Sequence, residues 1–262
     1  IRGSKFVISN GWVLADTFGN SDAKGIDIKM SDEILISNNS YVTSETIGNG
    51  DAGYILIDTP VMTIDYSTIS TNTSNSGDAG YIKLNVVDLN LIDTLIKSDS
   101  RGSGEGGAII ITAAGSILSS YSHISTEAFS TGPGGYISIK APTLDMDNFT
   151  LITANTFGDG DGGYVKVEAG TISLQNGSQI NTLSRSAGDG GSLNINASES
   201  ITVSCYYTNA QGTKYYSGFY GDTDNLGEGG FIHITTPSLL LDNGRISTTA
   251  WGNGNAGFIN LD

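Results

Sequence analysis

The chain has 262 residues and a mass of 27.3 kDa, with 36 glycines, four prolines and one cysteine. Lysine and arginine number 12 against 27 aspartate and glutamate residues, so the formal net charge is −15, and this charge predicts repulsion from nucleic-acid phosphates. No apolar run reaches the ~18 residues that a membrane span needs, and the single cysteine, Cys205, excludes an internal disulfide.

A glycine-rich motif recurs along most of the chain and decides the predicted fold. It has the form Gly-Asp-Ala-Gly-Tyr, with variations, and its copies begin at glycines that are 27, 27, 28, 28, 28, 39 and 27 residues apart. A fixed period of this length is typical of solenoids. We predict that the last glycine of each copy forms a tight corner, where a Cβ atom would collide with the coil above. These corner glycines are Gly53, Gly80, Gly107, Gly135, Gly163, Gly191, Gly230 and Gly257.

Apolar residues alternate with other residues after every corner glycine, as at Ile55 and Ile57 in one copy and at Val165 and Val167 in another. This period of two predicts a half-buried strand. A second short strand, such as residues 62–64, and a third, such as residues 69–71, follow within the same unit. We therefore predict an all-β fold: a right-handed parallel β-helix, or β-solenoid, of about nine coils of ~27–28 residues. Each coil is expected to have three short strands, and the whole chain, 1–262, to form one domain.

The third strands are expected to alternate in the same way as the first. Their outward positions are predicted to be Thr43, Ser70, Lys97, Ser125, Thr153, Asn181 and Ser247. One coil alone cannot bury enough apolar surface to offset the ordering of its backbone, so every coil needs neighbours above and below. Both ends of the chain fall at the same phase of the repeat, which predicts stacking on neighbouring coils or on other copies end to end.

One interval of the repeat is 39 residues long, and the extra residues form a tyrosine-rich insertion at about 205–222. Loops on a repetitive scaffold often carry function. Two interpretations stay open, a hairpin that packs its own aromatic residues on the rod and a recognition loop. The candidate binding residues are Tyr206, Tyr207, Tyr215, Tyr216 and Tyr220.

Acidic residues recur at the second position of the glycine motif. Stacked coils would place such carboxylates about 5 Å apart along one edge, where a hard cation such as Ca²⁺ would relieve their repulsion. The densest copies make Asp159, Asp161 and Asp189 the candidate calcium ligands, and calcium is the only cofactor that the sequence suggests. The alternative is a solvated acidic edge that discourages lateral aggregation.

An aromatic residue follows the corner glycine in six copies, namely Tyr54, Tyr81, Tyr136, Tyr164, Phe231 and Phe258. The alternation of the strand predicts that these rings lie outward or at a corner. They could present a flat face to sugar rings, or they could stack and shield the glycine-rich turn. Ala108 and Ser192 interrupt the series, which favours the second interpretation.

The sequence gives little support for catalysis. Enzymes with this fold, such as pectin and glycan lyases and hydrolases, need clustered carboxylates or a calcium ion beside a basic residue in a groove. The 12 basic residues are scattered along the chain, and no nucleophile arrangement is recognisable. We expect no enzymatic activity, with a polysaccharide-active lyase or hydrolase as an alternative.

Three features together indicate a known family. They are the motif Gly-(Asp/Glu/Asn)-(Ala/Gly)-Gly-aromatic-(Ile/Val/Leu)-x-(Ile/Val/Leu), the segment LLLDNGRIST at 239–248, and SGFY at 217–220. The chain, over essentially its whole length, resembles the haemagglutination-type repeats of filamentous haemagglutinin-like exoproteins exported by two-partner secretion, above all the long members common in cyanobacteria. The resemblance implies a secreted, extracellular rod that attaches cells to surfaces or to each other, with cell-surface glycans or proteins as partners. The alternative is a self-stacking filament subunit or a passive stalk without a ligand.

Overall fold

Parallel strands stacked in coils make up the molecule. The computed structural model describes residues 1–262 and contains strands, turns and bends but no helix. The strands form a parallel 12-stranded sheet, a parallel 9-stranded sheet and a separate two-stranded hairpin. Because each coil contributes one strand to the 9-stranded sheet, the chain makes about nine coils, and the predicted β-solenoid is confirmed.

The strands have the following bounds in chain order: β1 (Arg2–Ser9), β2 (Trp12–Leu14), β3 (Gly25–Ser37), β4 (Tyr41–Thr43), β5 (Tyr54–Asp65), β6 (Thr68–Ser70), β7 (Tyr81–Ile92), β8 (Leu95–Lys97), β9 (Ala108–Ala113), β10 (Ser116–Ser120), β11 (His123–Ser125), β12 (Tyr136–Asp147), β13 (Leu151–Thr153), β14 (Tyr164–Gln175), β15 (Gln179–Asn181), β16 (Ser192–Ser204), β17 (Tyr206–Thr208), β18 (Lys214–Tyr216), β19 (Gly218–Tyr220), β20 (Phe231–Thr235), β21 (Leu239–Asp242), β22 (Arg245–Ser247) and β23 (Phe258–Leu261).

The long strands of the 12-stranded sheet begin just after the glycine corners. Separate first and second strands were predicted for every coil, but they are separate only as β9 and β10 and as β20 and β21. In the other coils one continuous strand covers both segments, because its backbone pairs with the next coil along most of its length. Pairing of β5 with β7 resumes directly after Pro60, where the missing N–H interrupts the ladder at a single position.

A turn with positive φ connects each long strand to the following short strand. Three of these turns have an Asn-Gly sequence, and their asparagines, Asn10, Asn176 and Asn243, have φ of 50°, 49° and 57°, which is the left-handed region that asparagine tolerates well. Tyr66 and Tyr121 occupy the same region at φ of 46° and 52°. The turn geometry is therefore kept even where the residue does not favour it.

The core is a single stack of aliphatic side chains inside the coils. The alternating residues after each glycine corner point inward as predicted, and Ile55 and Ile57 are 0% and 1% exposed. Ile82 of the next coil pairs in register with Ile55, so like residues pack on like residues along the rod. Phe219 is fully buried in β19, at a position where neighbouring coils carry isoleucine.

The corner glycines are required by close approach between coils. A Cβ atom built on any of the eight predicted corner glycines would lie between 1.8 and 2.3 Å from a backbone oxygen of the preceding coil. Contacts under 3.0 Å are not tolerated by real Cβ atoms. The prediction that a side chain at these corners would collide with a neighbouring coil is therefore confirmed.

The predicted outward positions of the third strands are covered by other side chains and are not exposed to solvent. The residues predicted to point outward at the ends of these strands are mostly buried, as shown by Thr43 at 6%, Ser125 at 0% and Thr153 at 2% exposure. Their hydroxyl groups bind carboxylates of the preceding coil that fold over them. Alternation along the strand predicts on which face of the sheet each side chain lies, but it does not predict which other residues cover that face.

Candidate functional site

The tyrosine-rich insertion folds as an antiparallel hairpin of β17 and β18. Tyr207 and Tyr215 are cross-strand partners, and their ring centroids lie 5.3 and 5.2 Å from that of Phe149 on the rod. The ammonium group of Lys214 lies 4.1 Å from the centre of the Tyr206 ring. The hairpin therefore packs its own aromatic residues on the rod, while Tyr207 and Tyr216 remain 38% and 37% exposed. A recognition role for these tyrosines stays a prediction.

Tyr220, the fifth predicted binding residue, belongs to the rod and not to the exposed insertion. It lies in β19 and is only 8% exposed, and its hydroxyl donates a hydrogen bond to the backbone carbonyl of Tyr216 at 2.9 Å. Burial raises the pKa of its phenol to about 12. Tyr220 thus supports the base of the hairpin, and a surface contact through it is contradicted by its burial.

A long groove follows the glycine corners over six coils. We call it the corner groove; it has a volume of about 1000 Å³, and no lysine or arginine lines it. Acidic residues lie along one side and aromatic residues along the other, with the glycines between them. The acidic residues are Asp51, Asp78, Glu105, Asp161 and Asp189; the aromatic residues are Tyr81, Tyr136 and Tyr164. The sequence predicted these two series separately, and stacking of the coils makes them the sides of one groove.

Most acidic residues of the corner groove hold the next coil in place. Oδ1 of Asp51 accepts a hydrogen bond from the backbone N–H of Asp78 at 2.9 Å, and Oδ1 of Asp78 accepts one from Glu105 at 2.9 Å. Asp161 accepts from the N–H of Asp189 at 2.8 Å in the same way. Only one oxygen of each carboxylate is used, so the charge remains available on the exposed side of the groove.

Glu105 is the exception in this series. The equivalent residue in the next coil is Pro133, which has no N–H to donate. The carboxylate of Glu105 makes no hydrogen bond or ion pair within the chain, and the residue is exposed in the groove. One coil of the groove thus carries a carboxylate that has no partner within the chain.

The aromatic residues that follow the corner glycines, three of which line the corner groove, form stacked pairs separated by gaps. The ring centroids of Tyr54 and Tyr81 lie 5.5 Å apart with an interplanar angle of 21°, and those of Tyr136 and Tyr164 lie 5.6 Å apart at 9°. Phe231 and Phe258 form a third pair at 5.7 Å and 3°. Because neighbouring rings cover each other's faces, the pairs do not offer a continuous flat platform to a sugar.

The residues predicted to bind calcium do not converge. Asp159 accepts a hydrogen bond from the hydroxyl of Ser186 at 2.7 Å, and Asp161 caps the backbone of Asp189. Nowhere do three or more His, Cys, Asp or Glu side chains lie together in a way that could hold a metal ion. The hydrogen bonds give these carboxylates a structural role, and calcium binding stays a prediction.

A second series of polar side chains, which sequence reasoning missed, runs beneath the third strands. We call it the polar column; each member lies two residues after a third strand and binds the coil that follows. Its members are Asp16, Glu45, Asn72, Asp99, Glu127, Asn155 and Asp222. The signal in the sequence was the recurrence of an acid or amide at this position with the 27–29-residue spacing of most coils.

The centre of the polar column contains the most strongly perturbed ionisable groups of the chain. Burial, with the nearby charge of Asp99, raises the pKa of Glu127 to about 7, and burial also raises the pKa of Asp99. Burial lowers the pKa of His123 to about 4, helped by the charge of Lys97. Oε1 of Glu127 accepts a hydrogen bond from Thr153 at 2.8 Å and lies 3.9 Å from Nε2 of His123. Asp99 and Glu127 are buried, and the side chain of His123 is only 24% exposed, so we assign these groups a structural role.

Comparison of the chain with family models, curated proteins and solved structures gives no match. The haemagglutinin-like resemblance therefore stays a prediction. No part of the chain forms a helix with the length and apolar character needed to traverse a bilayer.

Proposed function

We propose that the chain is a segment of a secreted, extracellular adhesive fibre that attaches to its partner along the corner groove. The observation that carries this proposal is the groove itself, which spans six coils and has one acidic and one aromatic side. At about 4.8 Å per coil it is roughly 24 Å long between its first and last acidic residues. Such a groove suits an elongated partner.

The charge of the corner groove favours a partner that carries positive charge. Five acidic residues and no basic residue line it, within a chain whose net charge is −15. Complementary charge speeds encounter and selects partners, while aromatic side chains supply contact area at low entropic cost. The resemblance to secreted haemagglutinin-like exoproteins supports an extracellular location, and we assign the chain no catalytic role.

The test replaces groove charges without altering the fold. In the triple variant Asp78→Asn, Asp161→Asn and Asp189→Asn, each amide oxygen can still accept the N–H of the next coil, as Asn155 does in the polar column. Beads carrying this variant should attach about tenfold less to a polylysine-coated surface than wild-type beads do, because the cationic partner loses close charges.

The control variant has the same net charge change away from the groove. Asp32→Asn, Asp93→Asn and Asp242→Asn alter exposed acids that do not line it, and this variant should attach like the wild type. An equal loss of attachment by both triple variants would overturn the proposal, because general charge would then explain adhesion. Attachment that neither variant changes would favour the passive stalk.

The hairpin provides a second candidate contact, because Tyr207 and Tyr216 are partly exposed at its surface. Replacing residues 206–215 by a short Gly-Ser turn should lower the melting temperature by only a few degrees, since the loss is mainly the packing on Phe149. Bead attachment should stay unchanged if the groove is the contact. A large loss of attachment with an intact melting curve would assign adhesion to the hairpin instead.

A further inference from the structure

We propose that the gap in the aromatic side of the corner groove at Ala108 is a seat for the guanidinium group of an arginine in a basic polypeptide. This inference rests on the corner groove being the attachment surface. It names the chemical group that the groove selects and the place where that group binds.

The gap is a slot between two aromatic side chains. Ala108 pairs in register with Tyr81 on one side and with Tyr136 on the other. Elsewhere in this series adjacent rings stack 5.5–5.7 Å apart, but here only a methyl group lies between the two tyrosines. Two strand spacings separate Tyr81 from Tyr136, which is roughly 9.6 Å. The slot is therefore about as wide as the space that one stacked ring occupies.

A flat cation in the middle of this slot would lie about 5 Å from each of the two ring centroids, within the ~6 Å range of cation–π attraction. Guanidinium is planar and weakly hydrated, and it stacks on aromatic faces, whereas ammonium is compact and strongly hydrated. The slot therefore favours arginine over lysine. Tyr81 is 42% exposed, so the site is reached directly from solvent.

The same coil supplies an unused carboxylate. Glu105 lies three residues before Ala108, and its carboxylate has no partner in the chain, while Pro133 at the equivalent position of the next coil offers no N–H. Both of its oxygens are free to accept the paired N–H groups of a guanidinium. Gly106 and Gly107 lie between Glu105 and Ala108 in the groove, so no side chain separates the carboxylate from the slot. A missing ring and a free carboxylate thus coincide in one coil.

The second gap, at Ser192, is a natural comparison. Ser192 lies in register between Tyr164 and Phe231, so this slot also has two aromatic sides. However, Oδ1 of Asp189, the acid of that coil, already accepts the N–H of Glu228 at 2.7 Å. We expect the Ser192 slot to bind guanidinium more weakly than the Ala108 slot.

The experiment fills the slot with the side chain that neighbouring coils carry there. Ala108→Tyr should complete the stack between Tyr81 and Tyr136 and keep the melting temperature at or above that of the wild type. Binding is measured by fluorescence anisotropy with a labelled peptide of four Gly-Ser-Arg repeats and with its lysine counterpart. We expect Ala108→Tyr and Glu105→Gln to bind the arginine peptide about tenfold more weakly, as the loss of cation–π and charge-assisted contacts predicts.

The matched control is Ser192→Tyr, which adds the same side chain at the other gap and should change affinity less than about twofold. The wild-type chain should prefer the arginine peptide over the lysine peptide about threefold or more. Unchanged binding by Ala108→Tyr, equal binding of both peptides, or binding of a dextran oligosaccharide that Ala108→Tyr abolishes would each overturn the inference.

The same variants separate this inference from the proposed function. If the groove triple variant loses bead attachment while Ala108→Tyr keeps its peptide affinity, the groove stands as the contact and the arginine seat is wrong. If neither variant has an effect, both proposals are wrong.

Discussion

Replacing Gly163 by alanine should destabilise the rod by about 3 kcal/mol or more, a large effect for one added methyl group. The new Cβ would lie 2.1 Å from the carbonyl oxygen of Gly135 and 2.6 Å from the backbone of Gly134. That carbonyl accepts the N–H of Tyr164 at 2.9 Å, so relief of the clash must lengthen a hydrogen bond between coils. A flexible side chain could move aside, but two backbones cannot.

The measurement is the urea unfolding midpoint of Gly163→Ala against Gly19→Ala. A Cβ atom at Gly19 meets nothing within 4 Å, so this control adds the same methyl group without a collision. We expect Gly19→Ala to unfold within about 1 kcal/mol of the wild type. If Gly163→Ala unfolded at the same urea concentration as Gly19→Ala, close packing of coils at the corner would not explain the recurrent glycines.

Replacing Glu127 by glutamine should stabilise the chain at pH 8 by up to about 3 kcal/mol. The pKa of this buried acid is raised from 4.5 to about 7 in the folded chain. Below pH 4.5 the acid is protonated in both folded and unfolded chains, so no stability is lost. Between pH 4.5 and 7 the unfolded chain releases the proton more readily, and stability falls as the pH rises. Glutamine keeps an acceptor for Thr153 but carries no charge.

The pH dependence of the free energy of unfolding distinguishes removal of the buried charge from a pH-independent effect of the substitution. The free-energy gain of Glu127→Gln should be largest above pH 7 and should vanish towards pH 4.5. His123 acts in the opposite direction, since its pKa is lowered to about 4 and its contribution is lost as the pH falls from 6.5. His123 is present in both proteins, so its contribution largely cancels in the difference. Glu199→Gln, at an exposed glutamate, should show no such profile. If Glu127→Gln were less stable than the wild type at pH 8, the prediction that the buried charge of Glu127 destabilises the folded chain would be wrong.

The solenoid could be predicted because its determinants are local and repeated. The spacing of glycines such as Gly163 and the alternation at Val165 and Val167 together define a coil, and stacking identical coils leaves little freedom. The continuity of the first two strands in most coils could not be predicted, because Pro60 reads as a strand end in the sequence although the backbone pairs with the next coil on both sides of it.

The candidate site was predicted only in parts. The acidic and aromatic residues were recognised as two series, but the groove between them depends on how far the glycines let adjacent coils approach. The polar column was missed because Thr153 lies at an outward position of its strand and is covered by Glu127 of another coil. Tyr220 was counted with the insertion although it already belongs to β19, since its short strand gives too few residues to fix a boundary.

The direction of the hydrogen bonds between coils has a mechanical consequence. Parallel strands such as β5 and β7 lie across the rod and bond along it, so a pull on the two ends loads these bonds in tension and not in shear. Bonds loaded in this way open one row at a time, and each opened coil releases about 27 residues of slack chain. A tether built on this plan would yield in steps, lengthening under sudden load while the remaining coils stay folded.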